Sequence, residues 1–477
     1  MFTRITYIII TTGFLALGFS ACKTPGFVSK TENKSVPGSF NESTDTTNTA
    51  QVKWKDYFTD PNLVALIDTA LSNNQELNIM LQEINISNNE VRARKGEYLP
   101  SIGLQGGAGI EKVGRYTSQG ANDANTEIEP GKEFPEPLPD FMVGAYASWE
   151  VDIWKKLRNA KKSAVFNYLS SIEGKNFMVT NLVSEVAASY YELIALDNQL
   201  DIIKKNIEIQ QNALKIVKMQ KQAAKVTELA VRKFEAEVLK NQSHLYEIQQ
   251  MIVETENRIN YLIGRFPQPV QRNASNFTEL TPQPLQAGIP SQLLENRPDI
   301  KQAELELEAA KLDVKVAKAN FYPRFDITAG VGLQAFDPSH LVKAPESMLY
   351  NVAGDLMAPL INRNAIKANY FSASSKQVQA VYNYERTVLN AYIEVVNQLS
   401  KIDNLEKSYD FKQQQVQTLT ESITISTNLF KSARADYMEV LMTQRDALES
   451  KMELIETKTA QMNAYVKMYQ ALGGGWK

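Results

Sequence analysis

The sequence predicts an internally duplicated α+β membrane protein, in which each chain gives four strands to a shared outer-membrane β-barrel continued by a long periplasmic α-helical barrel. Three observations lead there. Residues 360–472 run for 113 positions without glycine or proline, and because proline breaks a helix interior and glycine weakens it, this run reads as helix almost throughout. Between the long helical runs, short stretches switch from a period of 3.6 to a period of two. The whole order of elements then occurs twice.

Composition sets the bounds. The 477 residues hold 51 basic and 54 acidic side chains, for a net charge of −3, a balance that argues against a nucleic-acid partner. The single cysteine, Cys22, excludes an intrachain disulfide and a thiolate metal cluster. Cys22 instead closes a targeting signal: Arg4, then a largely apolar stretch over residues 5–19 that is short for a spanning helix, then Ser20-Ala21 before the cysteine. This pattern predicts a signal peptide over residues 1–21 and lipid attachment at Cys22. The competing reading is an ordinary signal peptide with a chance cysteine. Residues 22–53, rich in Ser, Thr, Asn, Gly and Pro, read as a lipidated flexible tether. No other run approaches 18 apolar residues, but alternating membrane strands escape such scans.

The first repeat, residues 54–266, opens at Asp60-Pro61, where Asp60 suits a helix cap and Pro61 the first turn. Leu63, Leu66, Ile67, Ala70 and Leu71 form a helical stripe, and a second helix ends at Tyr98-Leu99-Pro100. Beyond Pro100 the apolar side chains Ile102, Leu104, Ala108 and Ile110 alternate with polar residues and glycine. A polar loop over residues 112–140 follows, and then Phe141, Val143, Ala145, Ala147, Trp149 and Val151 share one face. Two strands of about 10 to 12 residues are long enough to cross a tilted hydrocarbon span. The helical region 155–263 comes next, interrupted only by Gly174, with Leu193, Leu196, Leu200, Ile203 and Ile207 at coiled-coil spacing. Its reversal is expected near residues 223–227.

A connector, residues 267–297, leads to the second repeat, residues 298–477. The order recurs. A helix from Pro298-Asp299 ends at Phe321-Tyr322-Pro323, and a strand from Phe325 to Ala335 alternates. A polar loop over residues 336–347 and a strand over residues 348–358 precede the glycine-free run. In that run the apolar rhythm lapses at Ser432-Ala433-Arg434-Ala435-Asp436, which predicts two antiparallel helices meeting there. Thr227-Glu228-Leu229 past the first reversal matches Met438-Glu439-Val440 past the second.

Four strands cannot close a membrane barrel, since bacterial barrels begin at eight, and an open edge in lipid leaves backbone groups unpaired at several kcal/mol each. Oligomerisation is therefore required. The helical hairpins extend on the signal-peptide side, into the periplasm, where their heptad stripes bury against neighbours to make a tube wall. A solid coiled coil with solvated faces is the simpler fate of heptads, but it leaves the strand pairs and the duplication unexplained.

Particular residues then carry a resemblance. They are Trp54 with Phe58-Thr59-Asp60-Pro61-Asn62-Leu63; Tyr98-Leu99-Pro100-Ser101; Trp149-Glu150-Val151-Asp152-Ile153-Trp154; Pro290 with Asn296-Arg297-Pro298-Asp299-Ile300; and Tyr469 with Gly473-Gly474-Gly475-Trp476. In this order the chain resembles the TolC-like outer-membrane efflux factors, in their lipoprotein (NodT-type) branch serving resistance-nodulation-division (RND) pumps. The resemblance covers the chain from Trp54 onward. It implies a homotrimer with a twelve-stranded barrel and a twelve-helix periplasmic tunnel, and a passive exit duct for small molecules. It also implies a periplasmic adaptor and an inner-membrane RND pump as partners, beside outer-membrane lipids. The family narrows its tunnel at the helix tips with acidic side chains; Glu439 falls on such a position, while Met442 stands where some members carry a second acid.

Other functions stay in view. One is the outer-membrane channel of a type I protein secretion system; another, of a different class, is a coiled-coil envelope structural protein. An enzyme is disfavoured: there is no phosphate-binding glycine loop, and His244 and His340 have no metal-ligand spacing. No catalytic residue, cofactor or metal site is expected.

Overall fold

The computed structural model describes residues 26, 30–40, 45–275, 277–280, 282, 286–432 and 434–476. The signal segment, Cys22 and Ala433 lie outside these residues. The chain divides into two units: Met1–Thr31 with Asn85–Leu169 and Leu305–Val381, and Glu32–Ile84 with Ser170–Glu304 and Tyr382–Lys477. No helix among the described residues is long and apolar enough to cross a membrane.

The first unit is built on an antiparallel sheet. Strands β1 (Ser101–Glu111), β4 (Leu138–Val151), β5 (Arg324–Ala335) and β6 (Met348–Met357) lie in the order β1-β4-β5-β6. The two repeats therefore join at β4-β5, and β1 and β6 remain open edges. Register shows what alternation was for. Leu104, Ala145, Val331 and Tyr350 stand side by side across the sheet, as do Ile102, Ala147, Ala329 and Val352. This apolar face is bare: Leu104 is 88% exposed and Val352 78%. The opposite face carries Gly103, Tyr146, Gly330 and Asn351 in one row and Glu150, Asp326 and Asp355 in another. One apolar face and one polar face at lengths of 10 to 14 residues suit a barrel wall between lipid and water.

At the β4-β5 seam Gly144 pairs with Gly332. A Cβ at Gly144 would lie 2.9 Å from the Val331 carbonyl oxygen, and one at Gly332 2.7 Å from that of Val143. Backbone meets backbone there, so no side chain can swing aside. The strand-to-helix joints use directed bonds. Asp152 accepts from the Leu157 and Arg158 amides at 3.0 and 2.9 Å, capping α5 (Lys156–Gln222). Trp149 Nε1 donates to the Tyr98 carbonyl at 3.2 Å, Trp154 Nε1 to that of Pro323 at 2.8 Å, and the Trp154 ring stacks on Tyr322.

The loop expected over residues 112–140 has structure of its own. It holds a short helix, α4 (Ser118–Asp123), capped by Thr117, and a ribbon of β2 (Glu127–Glu129) with β3 (Lys132–Glu133). The sequence hides them because each is too short to show a period.

The second unit takes most of the helical mass. Helices α1 (Trp54–Tyr57) and α2 (Pro61–Asn73) precede α3 (Gln75–Tyr98), and α7 (Ser291–Asn296) precedes α8 (Pro298–Ala319), the larger part of α3 and of α8 belonging to the first unit. The long hairpins are α5 with α6 (Glu228–Leu262), and α9 (Asn364–Lys431) with α10 (Tyr437–Ala471). Both reversals fall where the rhythm lapses. They close with the same backbone bonds: Lys225 N–H to Gln220 and Arg434 N–H to Leu429, each at 2.9 Å. This sets the cap Thr227 opposite the cap Asp436 and buried Val231 opposite buried Val440. The Thr227–Met438 match suggested by side-chain identity is thus two positions out, because local identity competes poorly with backbone geometry.

The principal core of this unit gathers Leu63, Ile67, Val186, Tyr190, Leu193, Ile259, Phe277, Met462 and Tyr469 from both halves of the sequence. Tyr57 stacks flat on Tyr469 at 4.2 Å, and Tyr190 Oη donates to Asp60 Oδ2 at 2.7 Å. A second lock is electrostatic. The Arg297 side chain, 6% exposed, forms a 2.7 Å pair with Asp299 and another with Glu394, and donates to the Ala471 carbonyl at 2.9 Å. Beside it Gly473, at φ 89°, would place a Cβ 2.6 Å from the Asn296 carbonyl oxygen, and Trp476 Nε1 donates to that same carbonyl at 3.3 Å.

The segment read as a flexible tether is not loose where it is described. Within the second unit, Asn33 N–H donates to Glu385, Lys34 pairs with Glu304 at 2.5 Å, and Phe40 stacks on Tyr392. Further along, Thr49 N–H donates to the Gln286 carbonyl, Ala50 is fully buried, and the Val52 carbonyl accepts from Tyr469 Oη at 2.6 Å. Low apolar content predicts disorder only when no partner is waiting for the polar groups. Here partners distant in sequence are in place.

Two outcomes test this architecture. Gly332→Ala should reduce the yield of heat-modifiable, assembled protein in outer-membrane extracts severely, whereas Gly107→Ala, with nothing within 4 Å of its Cβ, should leave it unchanged. Arg297→Met should cost about 3 kcal/mol, because it strands half-buried Asp299 and a carbonyl acceptor. Thermal melting of the helical circular dichroism in detergent would register that as a drop of several degrees, and an unshifted transition would contradict it.

Candidate functional site

Within the second unit the tips of the two hairpins pack against one another. Val217, Ala230, Val231 and Phe234 of the first form a small cluster with Phe430, Tyr437 and Leu441 of the second. Above it comes a polar layer. In α5, Gln210 lies between Ile207 and Leu214; in α6, Asn241 lies between Phe234 and Leu245; in α10, Gln444 lies between Leu441 and Leu448. Each flanking residue belongs to the tip cluster or to the next apolar cluster along. Gln210, Asn241 and Gln444 are all buried, and Asn241 Nδ2 donates to Gln210 Oε1 at 2.7 Å. A buried amide layer in an apolar seam sets helix register at some cost in stability.

The two tips differ in charge. On the first, Glu228 is held by Lys221 and by Arg232 at 2.9 Å, and Arg232 also reaches Glu235 at 3.0 Å. The Lys221 hydrogen bond, with burial opposing it slightly, keeps the Glu228 carboxyl below its ordinary range. The second tip has no such neutralisation. Asp436, the residue before α10, and Glu439 in its first turn are exposed, and neither forms an ion pair among the described residues. The Glu439 amide donates to the Asp436 carbonyl at 3.2 Å, and the Thr443 hydroxyl donates to the Glu439 carbonyl at 2.7 Å. Both carboxylates sit at a helix N-terminus, where the dipole favours negative charge.

Glu439 thus lies at the tip, as its place in the sequence predicts. Asp436 is the residue the motif comparison missed. Its signal was its position immediately before the first helical turn, where aspartate is a favoured cap. Met442 is 46% exposed near them and adds no charge. Neither histidine belongs to the tip: His244 lies within α6, and His340 pairs with Glu129 in the other unit.

The chain matches the family model described as outer membrane efflux protein over residues 66–265 and 289–474. Among characterised proteins it is 27% identical over 425 residues to the pyoverdine export outer membrane protein OpmQ of Pseudomonas aeruginosa, covering 89% of this chain and 88% of that protein. It is likewise 27% identical over 424 residues to the cation efflux system protein CusC of Escherichia coli O6:H1, with the same coverage. The open-state crystal structure of the Neisseria gonorrhoeae MtrE outer membrane channel superposes with a TM-score of 0.82 at 22% identity, covering 95% of this chain and 98% of that one. With the two matched segments together taking in most of the sequence, the chain belongs to the outer membrane efflux protein family.

Proposed function

We propose that the protein is the passive outer-membrane exit duct of a tripartite RND-type efflux pump, exporting small molecules across the periplasm and outer membrane as a homotrimer. The observation that carries this is the four-stranded sheet with one bare apolar face and two unpaired edges, in a chain that also builds two long helical hairpins. Three copies supply twelve strands, enough to close a barrel. The hairpins have faces waiting for neighbours as well: Leu239, Tyr246 and Val253, seven residues apart on α6, are all exposed. Residues 54–266 and 298–477 act as the two repeats of this wall, with residues 267–297 connecting them.

A duct of this kind supplies no energy of its own; its periplasmic end docks an adaptor and, through it, an inner-membrane pump. Two relatives are named for exporting pyoverdine and cations, which supports small-molecule cargo over protein secretion. Asp436 and Glu439, repeated three times around a narrow entrance, would form a ring of unneutralised carboxylates that favours cations. Lipid attachment at Cys22 would add an anchor to the outer membrane.

Single-channel recording in planar bilayers tests the ring. The double substitution Asp436→Asn, Glu439→Gln should lower the cation-over-anion permeability ratio several-fold; Glu228→Gln on the other tip should leave it near wild type. Cys22→Ser should abolish incorporation of labelled palmitate. Protein that stays monomeric and non-conducting after reconstitution would contradict the duct itself.

A further inference from the structure

In the first unit four helix ends meet one end of the sheet: α3 and α8 run into β1 and β5, and α5 and α9 leave from β4 and β6. Within about 9 Å of these ends, at 1.5 Å per residue, residues 92–98, 155–162, 313–319 and 363–367 hold twelve basic side chains and two acidic ones. Part of this charge is matched locally. Lys156 pairs with Glu150, Arg158 with Asp152 at 3.0 Å, and nearby Arg324 with Asp326 at 2.7 Å. Lys95, Lys155, Lys162, Lys315, Lys318 and Lys367 are exposed and form no ion pair among the described residues.

The helix dipole accounts for only half of this pattern. Lys95 and Lys318 lie in the last turns of α3 and α8, where cations are favoured. α5 and α9 begin at the same level with no acid in their first turns, although the dipole disfavours cations there. Lys155 also takes a left-handed φ of 60°, a conformation that favours glycine. Positive charge at both kinds of helix end therefore answers to something outside the helices themselves.

The neighbouring surface points to what that is. The apolar face of the sheet ends in the row Val151, Phe325 and Leu356. Beyond it comes Trp154, 47% exposed and stacked on Tyr322, and then the lysines. Apolar wall, aromatic ring and cations follow one another as hydrocarbon, interface and phosphate layer do in a bilayer. We propose that these lysines form a basic collar that docks on anionic phospholipid headgroups in the periplasmic leaflet of the outer membrane and fixes how deeply the barrel sits. The collar rests on the duct reading, which puts the helical end of the sheet on the periplasmic side. An acidic protein is the other occupant such charge could take, and continuity with the apolar face favours the membrane.

Mass spectrometry of the delipidated, assembled protein, released from neutral detergent after titration with phosphatidylglycerol or phosphatidylcholine, counts the lipids that stay bound. The wild type should hold phosphatidylglycerol about ten-fold more tightly at low salt, and rising ionic strength should erode that preference. The triple substitution Lys155→Gln, Lys162→Gln, Lys367→Gln should bring the two lipids to within about two-fold of each other, and the dipole gives these changes at helix starts no reason to impair folding. Lys204→Gln, Lys215→Gln, Lys240→Gln, at exposed positions along the first hairpin, should keep the wild-type preference. Equal binding of both lipids by the wild type, a collar variant that keeps the preference, or a hairpin variant that loses it equally would each overturn the collar. So would capture of soluble polyglutamate by the wild type alone, without any lipid preference, which would assign the patch to an acidic protein. Conductance of the same preparations separates the two readings. A conducting protein with no lipid preference overturns the collar alone, whereas monomeric, non-conducting protein overturns the duct and the collar with it.

Discussion

In hydrocarbon a strand edge has no water to bond, and the edges of β1 and β6 carry amides and carbonyls that one chain leaves without a partner. That constraint organises the molecule. It explains why a sheet with an apolar face as bare as that of Leu104 and Val352 is tolerable: the face belongs against lipid and the edges against other copies. It also explains why the seam between repeats is glycine against glycine. A sheet that must continue into its neighbours has to keep its strands close and its register exact, and Gly144 with Gly332 permits the closest approach where the halves of the duplication meet.

The segments that resemble the family prove to be joints. Asn296 and Arg297 meet Ala471, Gly473 and Trp476; Tyr57 and Val52 meet Tyr469; Tyr98 meets Trp149. Each is a place where a backbone carbonyl, a flat ring or a left-handed glycine leaves little choice of residue. Long helices and alternating strands were legible because they repeat one rule over many residues, and both reversals were legible as lapses in it. The packing of residues 30–40 and 45–53 was not, because it rests on single polar contacts with groups far away in the chain, such as Lys34 with Glu304. The ribbon at Glu127–Glu133 escaped notice for want of length. Glu439 could be placed from its neighbours in sequence, while its companion Asp436 needed the helix boundary to be known first.

The two hairpin tips show how duplication leaves shape and chemistry free to part. Their turns repeat the same bonds, and Val231 and Val440 occupy the same buried place. Yet Glu228 is surrounded by Lys221 and Arg232, whereas Asp436 and Glu439 are exposed and form no ion pair among the described residues. Their mutual grip is a small apolar cluster; above it the Asn241–Gln210 bond joins the two helices of the first hairpin, and Gln444 is buried on the second. Buried polar side chains at this level restrict register without adding apolar area between the tips.

The buried guanidinium of Arg297 has a consequence for biogenesis. It reaches acceptors on α9 and at the end of α10, so the lock beside the main core joins parts of the chain separated by most of the second repeat. A polypeptide threaded across the inner membrane amino-terminus first presents Arg297 long before Ala471 arrives. Until then the guanidinium has only Asp299 nearby in sequence, and the core still lacks Met462 and Tyr469. The lock beside the core can therefore close only once the end of the second repeat is present.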